Sequence, residues 1–219
     1  MMTNRLASYL EYTNLSPTIT AREVERMVVE AKEHQMFGVC LPAFWVKKAR
    51  RELGGTDTRL VTVVGFPLGY QMTQTKVAEI DQALRDGAHE IDMVMNLSAF
   101  KSGMPWVKIE IAKCAALVHE HEAMLKVIIE TAYLSDEEIV RASTLCADAG
   151  VDFVKTSTGF APQGATVPHV RLLRQHLADQ VGIKAAGGIQ TAEQARSMIE
   201  AGADRIGASQ ALAILSSKE

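Results

Sequence analysis

A segment that recurs three times along the chain constrains the fold more than any other feature. Residues 87–92 (GAHEID), 150–155 (GVDFVK) and 202–207 (GADRIG) each begin with a glycine and continue into a short apolar stretch. Each copy follows a segment with helical periodicity, and a glycine is typical of the position just past a helix C-terminus. We therefore interpret every copy as a helix end, a tight turn and the start of a buried strand.

The spacing of the copies indicates how many units the chain contains. The three glycines are 63 and 52 residues apart, whereas one strand–helix unit takes about 30 residues. Each interval therefore holds two units, with one strand between them. The predicted intermediate strands lie at 124–131 and 182–187, and earlier strands are predicted at 9–15, 38–41 and 59–65. Helices are predicted at 21–35, 76–85, 107–121, 137–149, 167–178 and 192–201.

Three of these helices begin with a capping-box pattern, in which a hydroxyl residue precedes Glu or Gln by three positions. The pairs are Thr20 with Glu23, Ser135 with Glu138 and Thr191 with Gln194. Eight short apolar strands alternating with helices predict an α/β fold, a single-domain (β/α)8 TIM barrel over residues 1–219. An open doubly wound sheet fits less well, because no Gly-x-Gly-x-x-Gly loop follows the first strand.

Composition excludes several classes of protein. The net charge is −3 and no basic run is present, which argues against a nucleic-acid partner. No apolar stretch approaches the ~20 residues of a membrane span, and the N-terminus lacks a signal-peptide core. The three cysteines form no CxxC pair, so neither disulfides nor a zinc knuckle are expected. We expect a cytoplasmic protein with neither a membrane nor a nucleic-acid partner.

Charged residues interrupt three strands that should be apolar. The fifth residue after each repeat glycine is Asp92, Lys155 or Gly207, on strands four, six and eight. Alternate strands of a barrel fill one layer, so these positions should share a level, with a pocket where Gly207 lacks a side chain. Lys184 adds a second lysine on strand seven, beside Lys155.

Two neighbouring strand lysines and an acid have a chemical and a structural interpretation. The structural one is that the lysines extend to the strand ends and bind helix carbonyls. The chemical one is a Schiff-base nucleophile, since burial and a second ammonium group both favour the neutral, reactive amine. The adjacent carboxylate would then move protons. We favour the chemical interpretation, with Lys155, Lys184 and Asp92 as catalytic residues.

Small and hydroxyl residues follow the same strands and predict a polar ligand. Lys155 precedes a Thr-Ser-Thr-Gly turn that contains Thr158 and Gly159. Glycine turns after strands seven and eight of a barrel are typical of a phosphate site. We therefore predict phosphate binding at Gly159, Gly187, Gly188, Gly207 and Ser209. The alternative is that these loops only require small residues.

Histidine spacing does not favour a metal site. His119 and His121 lie two apart on a helix and face different directions, and the other histidines have no ligand spacing. Surface and capping roles are the better interpretation. We expect neither a metal nor any other cofactor.

Five motifs together resemble one family, deoxyribose-phosphate aldolase, over about residues 10–212. They are EIDMVMN, LKVIIET, VDFVKTSTGF, GIKAAGGIQTAEQA and AGADRIGAS. The resemblance implies a class I aldolase with a TIM barrel that reversibly cleaves 2-deoxy-D-ribose 5-phosphate to glyceraldehyde 3-phosphate and acetaldehyde. It implies that Lys155 forms the Schiff base, that Lys184 perturbs its pKa and that Asp92 transfers protons. It also implies a substrate pocket with Glu11, Thr13, Cys40 and Thr158, although in energetic terms a small buried hydrophobe is the better interpretation of Cys40.

The chain departs from the family pattern at three places. Glu11 and Tyr12 replace a common Asp-His, Gln190 replaces an arginine, and Gln210 replaces a serine. The changes at Gln190 and Gln210 lie beside the expected phosphate site, so a related aldolase acting on an unphosphorylated acceptor is the alternative. A barrel that only binds sugar phosphates is a third possibility, although binding alone does not need a reactive lysine. Small-molecule substrates and a possible homodimer are the expected partners.

Overall fold

The computed structural model describes residues 6–216, which form a closed barrel of eight parallel strands in chain order. The barrel closes where β1 pairs with β8, with Glu11 opposite Gly207. The predicted (β/α)8 barrel is therefore confirmed. The strands are β1 (Leu10–Thr13), β2 (Gly38–Leu41), β3 (Arg59–Val64), β4 (Glu90–Val94), β5 (Met124–Ile128), β6 (Phe153–Lys155), β7 (Gly182–Ala186) and β8 (Arg205–Ala208).

The connections between strands carry the helices that cover the barrel. They are α1 (Ala21–Glu33), α2 (Val46–Leu53), α3 (Thr73–Arg85), α4 (Leu97–Lys101), α5 (Trp106–Glu120), α6 (Asp136–Asp148), α7 (Val167–His176), α8 (Ala192–Glu200) and α9 (Ala211–Ser216). The six predicted helices are confirmed to within three residues at each end. Helix α2 was not predicted, because its sequence VKKARREL is short and highly charged. It still buries Val46, Ala49 and Leu53 on one face.

All three predicted capping boxes are present. Thr20, Ser135 and Thr191 each accept a backbone N–H bond from the residue three positions on. These bonds satisfy amide groups that have no partner within the helix. The caps fix where α1, α6 and α8 begin, and therefore how each chain segment leaves the carboxyl end of the preceding strand.

The core lies between the barrel and its helices. Buried side chains from both layers pack into one large apolar cluster that includes Leu10, Ile91, Val127 and Ile183. The inside of the barrel is different, because it contains charged side chains in full burial. No described helix has the length and apolar character needed to cross a lipid bilayer.

We expect Ser135→Ala to lower the free energy of unfolding by about 0.5–2 kcal/mol, because the first turn of α6 loses its cap. Ser135→Thr should retain most of the stability, since its hydroxyl can still accept the bond. Urea denaturation followed by circular dichroism measures both. Equal losses in the two variants would contradict a capping role.

Candidate active site

A cluster of charged side chains fills the upper part of the barrel around Asp92 on β4. Asp92 Oδ2 lies 2.8 Å from Lys155 Nζ on β6 and 2.6 Å from Lys184 Nζ on β7. Asp92 Oδ1 accepts a bond of 3.0 Å from Lys126 Nζ on β5. One buried carboxylate therefore binds three ammonium groups from three successive strands.

Two further carboxylates complete the cluster. Lys126 Nζ lies 2.5 Å from Glu90 Oε2 and 3.5 Å from Glu11 Oε1. Glu11, on β1, also forms a direct ion pair with Lys184. The cluster thus contains three carboxylates and three lysines, so its formal charges cancel. This balance is what allows six ionisable side chains to share a buried site.

The charges hold one another in their ionised forms. Burial alone would raise the pKa of Asp92, but the ammonium groups of Lys126, Lys155 and Lys184 outweigh it and hold that pKa well below 3.8. Burial alone would lower the pKa of Lys184, but Asp92 and Glu11 raise it above its usual 10.5. The pKa of Lys126 is raised in the same way by Asp92, Glu11 and Glu90.

These shifts determine the pH range over which the cluster stabilises the fold. A carboxylate with a lowered pKa contributes stability above its unfolded value, and the contribution is lost as pH falls toward its folded value. A lysine with a raised pKa contributes below its unfolded value, and the contribution is lost as pH rises. The contributions of Asp92, Lys126 and Lys184 are therefore all present between about pH 4 and pH 10.5, which are the unfolded pKa values of an aspartate and of a lysine.

A cavity of about 260 Å³ opens above the cluster at the carboxyl ends of the strands. Lys155 is the charged residue among those that line it, whereas Lys126 and Lys184 are fully enclosed. The remaining lining residues are uncharged and comprise small, hydroxyl-bearing, amide and apolar residues. They are Thr13, Asn14, Leu15, Ser16, Thr158, Gly159, Phe160, Ala186, Gly187, Gly188, Ile189, Gln190, Gly207, Ala208 and Ser209.

The structure brings together most of the residues that the sequence singled out. The five residues expected to bind phosphate and the hydroxyl residues Thr13 and Thr158 all line this cavity. Thr158 differs in one respect, because its hydroxyl group donates to the carboxylate of Glu130. Glu11 lies below the cavity in the charge cluster rather than on its lining.

The structure adds detail to two expectations. Gly207 does line the cavity, as expected, and a Cβ there would also lie 3.1 Å from Cε of Lys184. The glycine therefore makes room for that lysine. Cys40 is fully buried beside Val61 and Val63 and is not among the lining residues. Burial raises the pKa of the Cys40 thiol to about 11, which fits the alternative interpretation of a small buried hydrophobe.

Lys126, Glu90 and Glu130 are site residues that the sequence reasoning passed over. Lys126 lies within the apolar run LKVIIET and pairs in register with Asp92. A lysine inside a strand was the signal used for Lys184, and the same signal could have found Lys126. Glu90 is the first residue of β4 and Glu130 lies two residues beyond β5, so neither stands in the middle of an apolar strand.

One group of potential metal ligands is found among residues 6–216, and two of its three members belong to this cluster. Ligand atoms of Glu11, Cys40 and Asp92 lie within 4.8 Å of one another. Both carboxylates are already bound by ammonium groups, and the thiol pKa is raised, so the donor set does not fit a metal ion. The acids act instead as counter-ions for the lysines.

We expect Lys126→Met to lower the free energy of unfolding by about 3–5 kcal/mol, because Glu90 and Asp92 lose a buried partner. Adding Glu90→Gln should restore part of the loss, since it removes the excess negative charge. Chemical denaturation at pH 7 measures both variants. A loss below about 1 kcal/mol for the single variant would contradict the charge-balance account.

Comparisons with known proteins agree with this geometry. Residues 9–217 match the model of the DeoC/LacD family aldolases. A deoxyribose-phosphate aldolase from Aciduliprofundum boonei is 49% identical, with 100% of this chain and 99% of that protein covered. The solved aldolase QR15 is 42% identical with a TM-score of 0.91, covering 96% and 94% of the two chains. A tetrameric deoxyribose phosphate aldolase from Aeropyrum pernix is 32% identical with a TM-score of 0.89, covering 97% and 90%. The predicted resemblance is confirmed: the chain belongs to the DeoC/LacD aldolase family.

Proposed function

We propose that this aldolase reversibly cleaves 2-deoxy-D-ribose 5-phosphate to D-glyceraldehyde 3-phosphate and acetaldehyde, with Lys155 as the Schiff-base nucleophile. One observation supports the choice of Lys155. Of the three lysines bound to Asp92, Lys155 is the one that lines the cavity, and the other residues on the lining are uncharged. A carbonyl substrate in the cavity can therefore reach Lys155 without displacing the charge cluster.

The first half of the reaction forms a covalent intermediate. Lys155 gives up a proton, which Asp92 is placed to accept, and its amine attacks the C1 aldehyde of the open-chain sugar. The resulting carbinolamine takes a proton on its hydroxyl group and loses water to form an iminium ion. Lys184 stays protonated beside Asp92, so it holds that carboxylate in place and keeps a positive charge near the reacting amine.

The second half breaks a carbon–carbon bond. The C3 hydroxyl group loses its proton, the C2–C3 bond breaks, and its electron pair moves to the iminium nitrogen. Glyceraldehyde 3-phosphate leaves, and C2 of the remaining enamine takes up a proton. Water then hydrolyses the imine, which releases acetaldehyde and the free amine of Lys155. Asp92 can carry each of these protons, because its carboxylate adjoins the nitrogen and is held there by Lys184.

The end of the cavity where the phosphate is expected also leaves room for a second candidate substrate class, an unphosphorylated aldehyde. Gly159, Gly187, Gly188, Gly207 and Ser209 offer backbone amide groups and a hydroxyl group, which are typical of barrel phosphate sites. Among residues 6–216 no arginine lines the cavity, and Gln190, which the family resemblance places where an arginine is common, is on the lining. An aldolase that accepts an unphosphorylated aldehyde is therefore the alternative.

We expect incubation with 2-deoxyribose 5-phosphate and sodium borohydride to leave a reduced two-carbon adduct on Lys155. Peptide mapping by mass spectrometry locates it. Lys155→Met should lose the adduct and all turnover, whereas Lys101→Met on the surface serves as the matched control. Trapping with 2-deoxyribose in parallel separates the two substrate classes. An adduct on another lysine, or activity in Lys155→Met, would overturn the assignment.

We also propose that the chain forms homo-oligomers through a groove at the start of α3 and α5. Five large apolar side chains line it in exposed positions, among them Met72 at 72% and Trp106 at 65%, and the others are Tyr70, Met104 and Ile109. They expose roughly 600–700 Å² together, taking ~200 Å² for each large side chain. A standard interface buries about 800 Å² per partner, and the exposed apolar area of the groove is close to that size. A second copy of the chain, with its own groove facing this one, would therefore cover it. The tetrameric relative shows that this family can assemble.

We expect Trp106→Glu to dissociate the oligomer, because it places a charge in an apolar interface. Sedimentation velocity measures the mass of each species. Val29→Glu, at an exposed apolar position on α1 outside the groove, is the matched control and should leave the mass unchanged. A monomeric wild-type protein, or an intact oligomer in the Trp106 variant, would refute this interface.

We further propose a cytoplasmic location, since the three buried cysteines are all free thiols.

A further inference from the structure

Glu130 has an unusual backbone conformation and an unusual environment. It follows β5 by two residues and adopts φ 50° and ψ 71°, the left-handed region that non-glycine residues seldom occupy. Its side chain is buried, and no lysine, arginine or histidine of residues 6–216 lies within ion-pair distance of its carboxylate. Burial raises the pKa of Glu130, partly offset by its bonds to Thr158 and by the charge of Lys155. A left-handed backbone and a buried carboxylate both cost free energy, so the contacts that Glu130 makes are expected to have a function.

Those partners belong to the loop that follows Lys155. Both carboxylate oxygens of Glu130 accept from the backbone N–H of Thr158, at 3.1 and 3.3 Å. The Thr158 hydroxyl group donates to the same carboxylate and accepts a 3.0 Å bond from the N–H of Phe160. One carboxylate therefore organises the turn at residues 158–160.

The neighbouring backbone fixes where that turn lies. The N–H of Ile129 donates to the carbonyl of Lys155 at 3.0 Å, and the N–H of Thr131 donates to the carbonyl of Thr156 at 2.9 Å. The segment that carries Glu130 thus continues the parallel pairing of β5 and β6 past their ends. Glu130 is tied on both sides to the chain that carries Lys155.

The 158–160 turn also contacts the opposite wall of the cavity, which is formed by the turn after β7. Gly159 has a φ of 86°, and a Cβ on Gly187 would lie 3.3 Å from Cα of Gly159. The two glycine backbones therefore pack directly against each other. A displacement of the 158–160 turn would move Gly187 and reshape the end of the cavity where the phosphate is expected.

We propose that Glu130 is a positioning residue that holds the 158–160 turn in the shape that receives the phosphate end of the substrate. It acts through the hydroxyl and amide groups of Thr158 and does not touch the reacting atoms. The identity of the substrate anion rests on the function proposed above. The claim that Glu130 positions this turn rests on the contacts alone.

Two near-isosteric variants test the proposal. In Glu130→Gln, one of the two acceptor oxygens becomes an NH2 group, which can only donate, whereas both oxygens now accept from the N–H of Thr158. In Thr158→Val, the hydroxyl group is absent. We expect each to raise KM for 2-deoxyribose 5-phosphate about tenfold. Glu130→Gln, which lies outside the cavity lining, should also change kcat less than threefold and leave KM for 2-deoxyribose within twofold. The double variant should match the singles, because both remove the same interaction.

Several outcomes would overturn the proposal. A fall in kcat for both sugars at unchanged KM would mean that Glu130 acts on Lys155 instead. If the rise in KM of the double variant equalled the product of the two single rises, the two residues would act independently. Hydrogen exchange of peptides covering residues 155–162 tests the positioning without any substrate. We expect faster exchange there in both variants and unchanged exchange in β7. Unchanged exchange at 155–162 would refute the role of Glu130. Failure of the proposed function would show instead in the wild-type protein, as an absence of turnover or of any phosphate preference.

Discussion

The arrangement of this protein depends on the carboxylate of Asp92, which binds three ammonium groups inside the barrel. Three lysines at this depth would repel one another and lose their hydration. Asp92, with Glu11 and Glu90, cancels their charge and ties together β1, β4, β5, β6 and β7. The barrel interior can therefore be ionic without carrying a net charge.

This arrangement gives the three lysines different environments although they share one partner. Lys126 lies among three carboxylates and is fully enclosed, so it acts as a fixed counter-charge. Lys184 is enclosed between Glu11 and Asp92, which stabilise its protonated form. Of the acids that the structure describes, Lys155 bonds to Asp92 alone, and it borders the cavity. The proposed nucleophile and the two enclosed cations are thus distinguished by position, not by residue type.

The cavity depends on a second constraint, the close approach of backbones around Gly187. A Cβ on Gly164 would lie 2.1 Å from the carbonyl oxygen of Gly187, so no side chain fits at that crossing. The loop after Lys155 and the turn after β7 consequently form one continuous wall. Charge balance below and glycine packing above define the space between them, and Glu130 links the loop to the strand on its other side.

The sequence by itself determined the barrel, because repeated glycines, capping boxes and short apolar strands are local signals with known periods. It also indicated Asp92, Lys155 and Lys184, since charge inside an apolar strand is visible without a structure. Only the tertiary structure decided that Lys155 alone of the three bound lysines lines the cavity, and that Lys126, Glu90 and Glu11 balance the charge. It also decided that Gly207 leaves room for the Lys184 side chain and that the Thr158 hydroxyl group donates to Glu130. The physical reason is that these pairings join strands far apart in sequence, and their partners follow from barrel closure and register, which no local pattern encodes.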